Sequence, residues 1–273
     1  MRRRIRLGIC IVSAAAMLCI PCLCAAAEPV ITIQTTLPWL GSMARFIVGS
    51  TINIQQVASW TDAGALKTPR RIPRNIPTIA LDPADAAAFG FDIKSDDVRL
   101  LYENLPVAGA GRDLIPYDPS ILPFLSQRML IVLSQLSPDN YSFYQRRLAE
   151  FQSRLESTLE VGRSLIGDVR ILDLTGAISP WIKAATDGAV RPPDDLWRAW
   201  SGSTRTPELA MAIDEAKKRD WWVLHDAWTP PPIRSRTASA PKSMTIAPPP
   251  ADYEFFTHLH DIYLEIWTSS ARR

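Results

Sequence analysis

The chain reads as an α/β protein of two lobes joined by one long linking helix, and three observations predict it. Short β-rich runs alternate with amphipathic helix patterns in each half, the grammar of parallel α/β units. A helix pattern crosses the middle, with Tyr144, Leu148, Phe151, Leu155 and Leu159 at the spacing of one face. The two halves it separates are of similar size, the first from residue 28 to 137 and the second from 168 to 273.

The first residues read as a leader. Arg2, Arg3, Arg4 and Arg6 form a charged start, Leu7 to Cys24 is apolar, and Ala25-Ala26-Ala27 offers a small-residue cleavage site. The alternative is an uncleaved anchor helix, but Pro21 and the small residues favour cleavage of residues 1–27. Export to the periplasm is therefore expected. Cys10, Cys19, Cys22 and Cys24, the four cysteines of the sequence, all lie in this leader. None follows a lipoprotein-type triplet, so no lipid anchor is expected. The remaining 246 residues hold no cysteine for a disulfide, a metal or a nucleophile.

Val30-Ile31-Thr32-Ile33 is the first strand, and Trp39, Met43, Phe46 and Ile47 mark a helix closed by Gly49. Residues 52–57 form the second strand. Asp62 to Pro77, rich in arginine and proline, reads as an exposed loop, and Ala84 to Phe91 carries no assignable pattern. Gly109-Ala110-Gly111-Arg112 is a further loop before an Asp118-Pro119 turn. A helix follows from Ile121 to Leu136, then Ser137-Pro138-Asp139 starts the linking helix over 138–167, with Ser137 as N-cap and Pro138 at its first position.

The second half opens on a strand at Val169–Leu174, followed by a helix near Pro180-Trp181-Ile182. Asp194-Asp195 suits the start of another helix, and Thr206 the N-cap of one running to about Lys218. Trp221 to Asp226 is the next strand, with one indole of the Trp221-Trp222 pair on each face. Residues 229–251, dense in Pro, Ser, Ala and Arg, read as a long loop. A closing helix carries Tyr253, Phe256, Leu259, Ile262, Tyr263 and Ile266 on its apolar side.

Charge excludes one class of partner. The 30 basic and 28 acidic residues fall to 26 and 28 once the leader is removed, a formal charge of −2. A near-neutral chain with no aromatic–basic interleaving gives no case for nucleic-acid binding. No second apolar run is long enough to span a bilayer, so the processed chain is expected to be soluble. The absence of a thiol and of a Gly-x-Ser-x-Gly elbow leaves no support for nucleophilic catalysis, and no enzyme is expected.

Three blocks carry a resemblance: Thr36-Leu37-Pro38 with its helix to Gly49, the Asp118-Pro119 turn with the Ser137-Pro138-Asp139-Asn140 junction, and Asp252-Tyr253 with the final helix. Together they resemble the periplasmic solute-binding proteins of zinc and manganese ABC importers, over almost all of the chain beyond the leader. The resemblance implies a rigid linking helix, a metal cleft between the lobes, and an ABC importer permease as partner of a monomer. It also implies four ligands, three histidines and a carboxylate, suited to Zn²⁺ or Mn²⁺ as transported ligand. At the matching places stand Asp62-Ala63-Gly64, Ser120, Thr175 and Asp226, the last preceded by His225. Hydroxyls are poor zinc ligands, so the resemblance implies an altered or degenerate site.

The residues leave two readings open. Asp62, Asp118, Asp173 and Asp226 at strand ends suit an oxygen site for a harder cation, or simply turns and caps. His225 is a ligand, a base oriented by Asp226, or a strand end. His258 and His260, two apart on a helix, point apart and do not form a metal clip. Trp39, Trp60 and Trp228 lie near the expected cleft and suit either stacking on an organic ligand or lobe packing. The function expected is a metal-type solute-binding protein with an altered site; the alternative is a metal-free member of the fold serving as an organic-ligand or protein-interaction module.

Overall fold

The computed structural model describes residues 31–104, 118–202, 206–237, 240–250 and 253–271. The leader, the loop at 109–112 and Asp252 lie outside the described residues. The first lobe opens with β1 (Ile31–Thr35), α1 (Pro38–Val48) and β2 (Ile52–Gln56). The alternating burial of Ile52 and Ile54 against exposed Asn53 and Gln55 is the period-2 pattern of a strand with one covered face. Pro38 starts α1 with its fixed φ, and Gly49 ends it at φ 57°.

A short antiparallel hairpin, β3 (Ser59–Trp60) and β4 (Leu66–Lys67), leads to β5 (Thr78–Ala80), α2 (Pro83–Ala88) and β6 (Val98–Leu100). The first sheet has the order β2-β1-β5-β6 and is parallel throughout. Two sequence expectations are corrected here. The stretch from Asp62 to Pro77 is partly ordered by the hairpin, and the unassigned 84–91 contains most of α2. That helix is short and alanine-rich, so its signal lay in its cap: Asp82 accepts from the Asp85 N–H at 2.7 Å.

Helix α3 (Leu122–Leu136) is followed by a 3₁₀ turn at Pro138–Asn140 and then α4 (Tyr141–Ile166), the 26-residue linking helix. Ser137 and Pro138 start the 3₁₀ turn and not α4, whose N-cap residue is Asn140; the Ser137 hydroxyl makes no cap bond and accepts from the Asn140 amide at 2.8 Å. The second lobe contains β7 (Ile171–Asp173), α5 (Ser179–Ala185), β8 (Ala189–Val190), α6 (Asp194–Gly202) and α7 (Pro207–Lys218). It continues with β9 (Trp222–Asp226), α8 (Pro231–Thr237), β10 (Ser243–Ile246) and α9 (Phe255–Ala271). Its sheet, β10-β9-β7-β8, is again parallel. The expected loop over 229–251 thus holds a helix and an edge strand. Met244 and Ile246 alternate inward along β10, an apolar pair too short to stand out among prolines. Thr206 precedes α7 as predicted, but its hydroxyl makes no cap bond.

One apolar core runs through both lobes by way of α4. Tyr144, Leu148, Phe151, Leu155 and Ile166 of α4 join Ile33 and Leu40 of the first lobe to Trp181 and Tyr263 of the second. Each such side chain, fully buried, contributes about 1.5–3 kcal/mol. At the crossing, Phe151 meets Phe46 of α1 at 5.4 Å and Phe256 of α9 at 4.9 Å between ring centres. Gly162 lets α9 close in: a Cβ there would sit 2.7 Å from the Tyr263 ring. No helix among the described residues is long and apolar enough to cross a membrane.

Candidate functional site

Parallel sheets present their carboxyl-end loops on one edge, where α/β proteins place their sites. In the second lobe that edge is organised by Asp226, the last residue of β9, which is fully buried. Its Oδ1 accepts from the N–H groups of Gly176 (2.8 Å) and Trp228 (3.0 Å). Its Oδ2 accepts from those of Ala177 (2.8 Å) and Ile178 (3.2 Å). A carboxylate offers about four lone-pair sites, and four backbone donors take them. The Thr229 hydroxyl adds a further contact to Oδ1 at 3.0 Å, accepts from Asp226 N at 2.8 Å, and lies 2.8 Å from the Leu174 carbonyl. The chain thus uses Asp226 to fold the turn of Gly176, Ala177 and Ile178 that leads into α5.

Thr175 is also buried, and both its N–H (3.0 Å) and its hydroxyl (2.6 Å) donate to Asp173 Oδ1. Asp173 Oδ2 accepts from the Ser179 hydroxyl at 2.5 Å and lies 3.7 Å from Arg191. Arg191 donates to the Thr175 carbonyl at 2.7 Å and stacks over Trp197 at 4.4 Å. Ser120 repeats the arrangement in the first half. Its N–H (2.9 Å) and hydroxyl (2.6 Å) both donate to Asp118 Oδ1. The pattern Asp-x-Ser/Thr occurs at both places, and this repeated spacing is the signal that could have revealed two local turns.

Asp62 is exposed at the hairpin tip between β3 and β4. Gly64, two residues on, is buried at φ 76°, and a Cβ there would lie 3.1 Å from both Ala227 and Trp228. The hairpin therefore reaches across to the β9 loop of the second lobe. Trp60 meets Trp228 edge-on, with ring centres 5.2 Å apart. Beside them a cavity bordered by Pro38, Trp39, Gln56, Trp60, Tyr253 and Phe255 encloses about 20 Å³, room for a water molecule. Trp60 and Trp228 thus pack the lobes together here.

His225 and Asp226, adjacent on a strand, point to opposite faces. His225 is buried, and its Nε2 lies 2.8 Å from the Thr245 hydroxyl on β10. Burial pushes its pKa down; Asp226 opposes this and Arg234 adds to it. The structure brings the Thr175 turn, the Asp226 loop and the Gly64 hairpin together, whereas the donors of Ser120 are spent on Asp118. Among the described residues no three His, Cys, Asp or Glu side chains are placed to hold one metal ion. His258 lies in α9, buried, with its pKa pushed down to about 4 by burial.

No family model matches the sequence, and no curated protein matches it either. Solved structures do resemble it in fold. ZnuA superposes with a TM-score of 0.61 at 14% identity, covering 89% of this chain and 100% of that one. The laminin-binding protein Lmb of Streptococcus agalactiae, described as bifunctional with adhesin and metal-transporting activity, gives 0.62 at 13%, over 88% and 99%. A cadmium-bound periplasmic metal-binding protein from Candidatus Liberibacter asiaticus gives 0.60 at 10%, over 88% and 99%. At these identities the likeness establishes the architecture, two parallel α/β lobes on a linking helix.

Proposed function

We propose that this chain is an exported, periplasmic protein of the metal-importer binding-protein architecture, partnered with an ABC permease, whose altered inter-lobe site does not load zinc or manganese. Asp226 carries this reading. It stands where the resemblance implies a carboxylate ligand, and four backbone N–H groups take up its oxygens. The other places support the same view. Gly64 has no side chain, and Ser120 and Thr175 are tied to the aspartates two residues before them. The neighbours named as metal-binding or metal-transporting support the importer setting, and the one also named as an adhesin supports a role resting on protein contact.

Calorimetric titration of the metal-stripped protein with Zn²⁺ and Mn²⁺ tests the proposal. Neither ion should release binding heat or raise the melting temperature. A site filled to a hundred times its Kd would add about 2.7 kcal/mol of stability, so tight loading would be plain in the melt. Stoichiometric binding with such a rise would overturn the proposal.

A further inference from the structure

A second concavity lies far from the strand-end loops just described. It opens at the opposite end of the second sheet, where β7 and β9 begin, between the last turn of α4 and the end of α9. It is an open groove of about 510 Å³, within the range of small-ligand sites. Three of the nine tryptophans line it: Trp221, Trp222 and Trp267. Trp267 is 42% exposed, although it sits on a helix whose opposite side is core. A large exposed indole is costly to leave in water and points to a contact surface.

The polar groups of this groove narrow the ligand. Asp168 and Asp220 balance Arg170 and Arg219, so neither a polyanion nor a polycation is favoured. Asp220 pairs with Lys242, and Arg219 pairs with Glu215 while stacking over Trp221 at 5.4 Å. Asp168, Arg170 and Ser164 are exposed, and their side chains take no hydrogen bond or ion pair among the described residues. What remains available is the exposed indole of Trp267, with the uncovered parts of Trp221 and Trp222, beside a free carboxylate, guanidinium and hydroxyl. Exposed ion pairs are worth little, so binding energy here must come from the indoles, with the polar groups selecting the ligand.

We propose that this groove is a saccharide-binding site: a pyranose ring lays its C–H face on an indole, and Asp168, Arg170 and Ser164 hydrogen-bond its hydroxyls. A saccharide is neutral, apolar on its ring faces and polar on its rim, which matches each of these features. The site is separate from the inter-lobe cleft, so it does not depend on whether that cleft loads a metal.

The test is titration of the purified protein with maltotriose and, separately, with triacetylchitotriose, followed by the NMR signals of the indole N–H groups. Saturable shifts at Trp221, Trp222 or Trp267 with a Kd of about 1 mM are expected for at least one sugar. Response to maltotriose alone points to a free glucan, and response to the chitotriose alone to an amino-sugar polymer. Trp267→Ala should weaken binding about tenfold or more with an unchanged melt, and Asp168→Ala less so, whereas Trp60→Ala should leave it intact. Absence of saturation with both sugars, or shifts insensitive to Trp267→Ala, would overturn the proposal. So would a saturable response to the zwitterion glycyl-phenylalanine with none to either sugar.

Discussion

Replacing Asp226 by alanine strips the acceptor from four backbone N–H groups, those of Gly176, Ala177 and Ile178 just ahead of α5 and that of Trp228 in the loop after β9. Buried donors left without partners cost about 1–3 kcal/mol each where water cannot reach them. Asp226→Ala should therefore lower stability by about 3–5 kcal/mol in urea titration, a large loss for a side chain that makes no apolar core. A change below about 1 kcal/mol would mean that the loop does not depend on the carboxylate. His258 gives a prediction in pH. Its pKa of about 4 in the fold lies below the ordinary 6.5, with burial the main cause and Asp261 opposing. Between these values the imidazole is neutral when folded and charged when unfolded, so the unfolded chain binds the extra proton. Stability should thus fall as pH drops from about 6.5 to about 4, by about 3 kcal/mol, and this contribution should level off below. His258→Leu should flatten that part of the slope, leaving a smaller one from His225, which is displaced in the same direction. A full slope in the variant would assign the effect to other groups.

At the scale of elements, the contact of Gly162 in α4 with Tyr263 in α9 sets helix propensity against packing. Alanine favours a helix interior over glycine by about 1 kcal/mol. A Cβ at this point, however, meets the Tyr263 ring at 2.7 Å and Ala185 at 3.0 Å. Neither is the loose end of a flexible chain, since Tyr263 is fully buried. Overpacking should win: Gly162→Ala is expected to lower the melting temperature, with a net loss of about 1–2 kcal/mol. A raised melting temperature would show that α9 can slide aside. Elements of this kind were legible in the sequence wherever periodicity ran long. Helices α1, α3, α4 and α9 and strands β1, β2, β7 and β9 fall within a few residues of expectation. Helix α8 and strand β10 did not, because their inward residues, such as Ile233, Met244 and Ile246, are few and interspersed with Pro, Ser and Arg. The site was legible as a set of positions but not as chemistry. Sequence places Asp226 and Thr175 at strand ends, while three of the four backbone donors that occupy Asp226 lie some 50 residues away along the chain.

On the scale of the whole molecule, the α4-centred core ties the lobes among the described residues, and so does the hairpin contact made by Trp60 and Gly64 with Trp228 and Ala227. They differ in depth. Phe46, Phe151 and Phe256 are buried where α1, α4 and α9 cross, whereas Trp60 belongs to a two-strand hairpin that is marginal without support. Removing the second tie should release the hairpin without loosening the first, since local opening follows the least buried unit. Trp228→Ala deletes an edge-on aromatic contact worth about 1 kcal/mol beyond its burial. Hydrogen exchange in this variant should speed up in residues 59–67, notably at Thr61 and Gly64, whose N–H groups bond within the hairpin. Amides of α4 should keep their wild-type protection, because Tyr144, Leu148 and Leu155 remain packed. Loss of protection across α4 as well would show that the lobes are held as one cooperative body through the tryptophans. Unchanged exchange in the hairpin would show that Gly64 and its neighbours hold it without Trp228.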